Sequence, residues 1–372
     1  MPMRVMGRSY KVMQPCKGNS LQVKIKGMLR QALIMVKKGK NNCIIGLLCC
    51  CSTLPCLRIV LVSRQTQGNA PFLLWFLCLL CLFLRLLIQN GMKEVAIQGI
   101  KGCFHEVAAQ KYFGAQPFTT VECLSFNLLF GTFKCSPNYY GMVAIENSLA
   151  GTILPNYALL RNSELSIIGE VYLRIEHNLL ALEGQQIEEI REVYSHPMAI
   201  AQCYDFFDQY PHIRLIESAD TALSAREIGN NGKKGIGAIA GKLAAQYYNL
   251  AVMAAGIESN KQNFTRFWVV QHNRALPRNP EQVPNKASVC FHAAHHRGEL
   301  AAILTLLAQY GMNLTKIQSL PLPGKPWEYF FHIDLTFSDY HAYRQAIEAI
   351  GTRVNSLRIL GEYPEGEKTE AG

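Results

Sequence analysis

From Met92 onward, short apolar runs alternate with stretches in which apolar residues recur at helical spacing. Lys93–Gln98 reads as a strand, Gly99 and Gly102 break it, and Phe104–Phe113 then has helical spacing through Val107, Ala108 and Tyr112. The apolar run Met142–Ile145 predicts a buried strand that ends directly on Glu146-Asn147-Ser148. Ser166–Ile175 predicts another, which ends on Glu176-His177-Asn178 before the apolar run Leu179–Leu182. Pro197 suits the first turn of a helix through Phe207, with Ser195 as its cap. Further strands are expected at Ile213–Ile216, Gly235–Ala240 and Phe267–Gln271, and helices at Ala222–Ile228 and Lys242–Tyr248. Alternation of this kind points to an α/β fold with mostly parallel pairing.

A second pattern begins beyond the Pro-, Asn- and Arg-rich stretch 274–286, whose composition is that of a linker. Residues 287–364 read as strand, helix, strand, strand, helix, strand. The first helix, from Gly298, presents Leu300, Ile303, Leu304 and Leu307 on one face. The penultimate strand alternates Phe331, Ile333, Leu335 and Phe337 on one side. The order β-α-β-β-α-β predicts a ferredoxin-like domain, followed by a short tail, 365–372.

Residues 1–91 carry 13 of the 37 Lys and Arg, eight of the 13 cysteines, and no Asp, Glu or His. Packed soluble domains rarely have such a composition. Within it, Pro71–Ile88 is long and apolar enough to be a transmembrane candidate. The expectation adopted is that residues 1–91 are a non-functional leader and that the working protein starts at Met92. The remaining residues hold 24 basic against 27 acidic side chains, so the net charge of +10 belongs to the first quarter alone. No positive field for nucleic acid is expected beyond it. The other five cysteines lie singly, at 103, 123, 135, 203 and 290, without metal-ligand spacing, which suits a reducing cytoplasm.

The candidate chemistry collects where strands end. Glycine turns before helices expose backbone amides that suit anions, and polar residues at the carboxyl ends of strands are where open α/β sheets place ligand groups. Asn147 and Ser148, His177, Ser195 and His196, and Thr221 all fall at such points. Asn263-Phe264-Thr265-Arg266-Phe267 adds an uncharged hydroxyl donor, a guanidinium fork that matches a carboxylate, and flanking aromatics that exclude water.

Taken in order, Gly99…Gly102-Cys103-Phe104, Val143-Ala-Ile-Glu-Asn-Ser148, His177-Asn-Leu-Leu180, Tyr194-Ser-His-Pro197 with Gln202, Ala219-Asp-Thr-Ala222 and Asn263-Phe-Thr-Arg-Phe267 resemble the prephenate dehydratases. Cys103 and Ala144 stand where that family usually has Ser or Thr and Pro. The C-terminal pattern resembles an ACT domain through Gly298-Glu-Leu300 and Asn313–Pro321, with Gln318 and Leu320 in place of the usual Glu and Arg.

The resemblance implies a two-lobed catalytic domain like the periplasmic binding proteins, with lobe one at about 92–169 plus the return segment through 265–270, and lobe two at about 170–257. It implies conversion of prephenate to phenylpyruvate with loss of carbon dioxide and water, without metal or organic cofactor. Thr265 would be the proton or hydrogen-bond donor. Arg266, Asn147, Ser148 and turn amides would hold anions, and Phe104 and Phe267 would form an apolar wall. His177, Ser195, His196 and Thr221 complete the expected substrate contacts. L-Phenylalanine would act at Gly298, Leu300, Asn313, Leu314, Gln318 and Ser319 in a cytoplasmic homodimer or homotetramer. The rival readings are an arogenate dehydratase and a non-catalytic small-molecule sensor. A chorismate mutase in residues 1–91 is disfavoured, because that segment has no Glu.

Overall fold

Val95, Ala96 and Ile97 are successive and all fully buried, which only a strand covered on both faces allows. They form the middle of β1 (Lys93–Gln98), an inner strand of lobe one in a computed structural model that describes residues 92–273, 283–293, 296–322, 324–325 and 327–368. The expectations for residues 1–91, and for the part of the linker at 274–282, lie outside the described residues. The described residues all fall within one compact unit, 74–372. Among them no helix is long and apolar enough to cross a membrane.

Lobe one continues through α1 (Phe104–Phe113), β2 (Phe118–Cys123), α2 (Phe126–Thr132), β3 (Tyr140–Asn147), the short β4 (Gly151–Thr152), α3 (Leu154–Arg161) and β5 (Leu165–Arg174). The chain then crosses to lobe two. There β6 (Asn178–Ala181), β7 (Glu192–Ser195), α4 (Pro197–Ala201), α5 (Tyr204–Phe207), β8 (Arg214–Glu217), α6 (Thr221–Asn231), β9 (Ile236–Ala240), α7 (Lys242–Tyr248) and β10 (Ala251–Ala254) build a sheet of order β10-β6-β9-β7-β8. Strand β11 (Phe264–His272) returns to lobe one and completes the order β2-β1-β3-β11-β5, antiparallel to both of its neighbours.

The lobe boundary differs from the expected position near Gly169. Strand β5 pairs with β11 along its whole length, so lobe one runs to Arg174. Gly169 does not break the strand. It makes room for Tyr112, whose ring would lie 2.6 Å from a Cβ at that position. The helix expected over 197–207 is two short ones, because the Gln202 carbonyl accepts from Ser259 N at 2.8 Å instead of continuing the helical ladder.

In the C-terminal portion, β12 (Lys286–His292), α8 (Glu299–Gln309), β13 (Asn313–Pro321), β14 (Tyr329–Thr336), α9 (Tyr340–Gly351) and β15 (Ser356–Tyr363) form an antiparallel sheet of order β13-β14-β12-β15. This is the expected ferredoxin-like arrangement. One face packs on the two helices through Phe291, Ile303, Ile333, Leu335 and Tyr343. The other lies on the back of the lobe-one sheet, where Cys290, Leu320, Leu360 and Tyr363 meet Tyr157, Ile167, Trp268 and Val270. Two boundary expectations change. Lys286, placed in the linker, opens β12 with its ammonium buried 2.7 Å from Glu170. Residues Glu365 and Gly366, placed in the tail, are tied in by bonds from Glu365 N to Asn285 Oδ1 and from Gly366 N to Glu170 Oε1.

Candidate active site

The carboxyl ends of β1, β3 and β5 and the amino end of β11 meet at one edge of the lobe-one sheet, facing lobe two. The register sets Thr265 directly opposite Asn147, Arg266 opposite Glu146, and Phe267 opposite Ala144. Ile145 is thus an extra residue, a bulge in β3 beside the site. It puts Ile145 and Glu146 on the same, rear face of the sheet and leaves Asn147 beside Thr265 on the front.

A chain of side-chain hydrogen bonds runs from this pair into lobe two, and its donor directions are fixed. Asn147 Oδ1 accepts from the backbone N–H of Leu149 (2.9 Å) and Ala150 (2.8 Å), so its other amide atom is the NH2 group. That group donates to Thr265 Oγ1 at 3.0 Å and to Asn263 Oδ1 at 2.7 Å. Asn263 therefore presents Nδ2 to Gln202 Oε1 at 2.9 Å. The same Gln202 oxygen lies 2.9 Å from His177 Nε2, which must carry the hydrogen. Thr265 is an acceptor in this chain, and its own proton remains available. His177 keeps a bare Nδ1 with no partner, and burial lowers its pKa, so the ring is neutral.

His177 and Asn263 sit on the two crossover segments, which are clamped together. Ile175 N donates to Asn263 O at 2.7 Å, Ile257 N to His177 O at 2.8 Å, and His177 N to the buried carboxylate of Glu258 at 2.9 Å. The Phe104 ring meets the His177 ring edge-on, with centroids 5.5 Å apart. Gly102, at φ +86°, lets this turn approach lobe two so closely that a Cβ would lie 2.8 Å from Ala244 Cα. The lobes share one apolar core, and Thr265, His177 and Asn263 are all buried. Two surface grooves, of about 420 and 460 Å³, contain none of these residues.

The structure brings together Thr265, Asn147, His177 and Phe104 of the expected set. Arg266 is a correction: alternation along β11 sends it to the rear face, where Glu170 (2.6 Å) and Asp334 (2.5 Å) hold it. Phe267 lies in the core on the His105 ring rather than on a cleft wall. Ser195 is fully buried and its hydroxyl donates to Ile239 O, while Ser148 ties β3 to the return loop through Gln262 O and Phe264 N. His196 caps α4 by accepting from Met198 N. Thr221 opens α6 behind Asp220, which caps that helix. The amide of Gly102, expected to cradle an anion, already donates to Glu106.

Asn263, Gln202 and Asp220 were not singled out as site residues, although all three stand inside the quoted motifs. For Gln202 and Asn263 the use of the amide depends on a contact across the lobes, while Asp220 caps its own helix through Leu223 N. Burial raises the Asp220 carboxyl above its usual range, despite the N–H donors of Leu223 and Ala222. The expected regulatory residues divide between two faces of the C-terminal sheet. Leu300 and Leu314 pack on the helical side. Gln318 pairs with His332, which faces Tyr157 of lobe one.

Two buried histidines make stability depend on pH. Burial pulls His105 down to about 3 and His332, aided by nearby Arg161, to about 4. Between those values and the unfolded value near 6.5, the unfolded chain binds protons that the folded chain does not. Stability is thus retained above about pH 6.5 and falls as the pH drops, by at most roughly 1.4 kcal/mol per pH unit for each histidine. Thermal denaturation should show a lower Tm at pH 5 than at pH 7, with part of the slope removed in His105→Leu. An unchanged slope in that variant would contradict the assignment.

A family model described as prephenate dehydratase matches residues 95–275. The bifunctional chorismate mutase/prephenate dehydratase of Escherichia coli K12 is 30% identical over 280 residues, covering 74% of this chain and 72% of that protein. Arogenate dehydratase 2 of Petunia hybrida is 35% identical over 292 residues, covering 74% and 73%. Among solved structures, the prephenate dehydratase of Arthrobacter aurescens in complex with L-Phe is 28% identical with a TM-score of 0.66, over 75% of this chain and 92% of that one. The quorum-quenching acylase GqqA is 28% identical with the same TM-score, over 73% and 98%. With the motif order and the paired-lobe architecture already in place, these likenesses show that the chain belongs to the prephenate dehydratase family.

Proposed function

We propose that this chain converts prephenate to phenylpyruvate between two lobes that close like those of a binding protein, and that residues 287–364 are an ACT regulatory domain. The observation that carries the catalytic reading is the directed donor chain that ends on Thr265 with its proton uncommitted. In the reaction the bond from the ring to its carboxylate breaks, carbon dioxide leaves, and the electron pair enters the ring as it becomes aromatic. The 4-hydroxyl departs as hydroxide and gains a proton to become water. A threonine hydroxyl is a poor acid, so its contribution is a positioned hydrogen bond to the departing oxygen. Asn147 holds Thr265 in place for it. Arg266 is committed to the rear face, so uncharged donors of the cleft, Thr221 among them, meet the substrate's carboxylates.

Acyl hydrolysis, the activity in the name of GqqA, needs an activated nucleophile. In the described cleft Ser195 and Ser148 are spent on backbone groups, and burial pushes the Cys103 thiol up to about 12. Arogenate, which differs from prephenate by an amino group on the side chain, remains the second reading because of the Petunia relative. Comparing kcat/KM for the two substrates by product formation separates them. A higher value for arogenate would reassign the substrate.

Regulation by L-phenylalanine is supported by the Arthrobacter complex. Gly298 has φ +82°, with open space where a side chain would stand. Gly298→Val should strain that turn and fill the space. Its expected phenotype is loss of inhibition by phenylalanine with kcat within about twofold of wild type, since separate sites are joined only by a coupling of roughly 1–3 kcal/mol. Undiminished inhibition would place the effector elsewhere. Among the described residues strand β13 has only β14 as a sheet neighbour, which leaves an edge for pairing of C-terminal domains in a homodimer or homotetramer. A cytoplasmic location accompanies this reading.

A further inference from the structure

The two residues that meet at the catalytic edge are each followed or preceded by a charge pointing the other way. Thr265 is next to Arg266 and Asn147 is next to Glu146, and the bulge at Ile145 puts both charges on the rear of the sheet. There the C-terminal sheet holds them. Asp334 of β14 contacts Arg266 Nη1 at 2.5 Å, and Lys316 of β13 donates to Glu146 Oε1 at 2.5 Å and to Thr152 Oγ1 at 2.7 Å. Lys316 and Asp334 are themselves cross-strand partners, so they move as one unit. Each clamp therefore lies one backbone step from a catalytic side chain.

We propose that the C-terminal domain positions Thr265 and Asn147 from behind, through the Lys316–Glu146 and Asp334–Arg266 pairs. The inference rests on the dehydratase reading and extends it to regulation. A ligand that shifts β13 and β14 together against lobe one would move the ends of β3 and β11, and with them the hydroxyl that must meet the departing oxygen. A displacement of about 1 Å at a reacting group is enough to cost on the order of 100-fold in rate. Lys316, Glu146, Asp334 and Arg266 act through Thr265 and Asn147 and are positioning residues.

The Lys316–Glu146 pair is the one to test, because it is partly exposed while the Arg266 cluster is buried. Lys316→Met and Glu146→Gln are each expected to lower kcat on prephenate by about 5- to 20-fold with KM within about twofold. The double variant should be no worse than either single one, since both remove the same contact. Lys316→Arg keeps a cation on Glu146 and should retain at least about half of the wild-type kcat; charge exchange is avoided because Glu146 also lies 4.0 Å from Arg266. Circular dichroism and Tm establish that each variant is folded, and a variant that does not fold is replaced by Lys316→Gln, read against Lys316→Arg. Folded single variants with wild-type kcat, or losses that multiply in the double variant and are as large in Lys316→Arg, overturn the inference. Absence of prephenate turnover in the wild-type chain would instead overturn the dehydratase reading.

Discussion

Thr265→Val is expected to lower kcat by about 100-fold or more while KM stays within about twofold. The substitution keeps the β-branched shape and removes only the hydroxyl. That hydroxyl accepts from Asn147 at 3.0 Å, so its own hydrogen is not used in that bond and stays available to donate. The contact strengthens as the departing oxygen gains charge, and a donor that acts mainly in the transition state lowers kcat rather than raising KM. Removing one such donor typically costs roughly 3–4 kcal/mol, which sets the size of the effect. Thr265→Ser keeps the donor and should retain more activity. Steady-state kinetics on all three proteins decides the point: a Val variant that keeps most of its kcat would remove Thr265 from the mechanism.

Arg266→Met is expected to destabilise the protein by roughly 3–5 kcal/mol, a drop in Tm of about ten degrees or more. Its guanidinium donates to Glu170 through Nε at 2.8 Å and Nη2 at 2.6 Å, and to Asp334 through Nη1 at 2.5 Å. These three side chains are almost completely buried. Burial alone would lower the guanidinium pKa, and the neighbouring acids raise it well above the usual value instead. Lys286 shares Glu170 at 2.7 Å, so the buried centre holds two cations and two carboxylates, with the more exposed Glu146 4.0 Å from Arg266 and Glu365 3.5 Å from Lys286 at its rim. Removing Arg266 leaves Asp334 without its cation in a low-dielectric site. Arg266→Lys should restore little, because a single ammonium cannot span both carboxylates as the planar fork does. Urea titration measures this directly. If Arg266 gripped the substrate instead, the Met variant would show raised KM with unchanged stability.

Most of the architecture was legible in the chain because the apolar periodicities are strong. Residues 104–113 and 242–248 form the helices expected of them, and 287–364 follows the expected order of elements. Strand β2 and helices α2 and α3 were not anticipated; β2 is half-exposed and mixes Thr and Glu with its apolar residues. In the site, Thr265, Asn147 and His177 could be picked out as polar groups at strand ends. Alternation along β11 already separates Arg266 from Thr265, because successive residues of a strand face opposite ways, but nothing near it in sequence shows which acids await it on the rear face. Only the C-terminal domain, nearly 70 residues later, supplies the acid Asp334 that claims it. Gln202 and Asn263 were hidden for the related reason that their roles come from a contact 61 residues apart across the lobes. The Ile145 bulge, which sets which way Glu146 and Asn147 point, left no signal in the composition of β3.

The most direct measurement is the initial rate at which the chain forms phenylpyruvate from prephenate at neutral pH, with carbon dioxide followed in parallel and Thr265→Val run beside it. The expected result is one carbon dioxide per phenylpyruvate, at a rate far above the uncatalysed background and proportional to enzyme, with the variant reduced by about 100-fold. No phenylpyruvate above background from the folded wild-type protein, or equal rates from wild type and variant, would contradict the account.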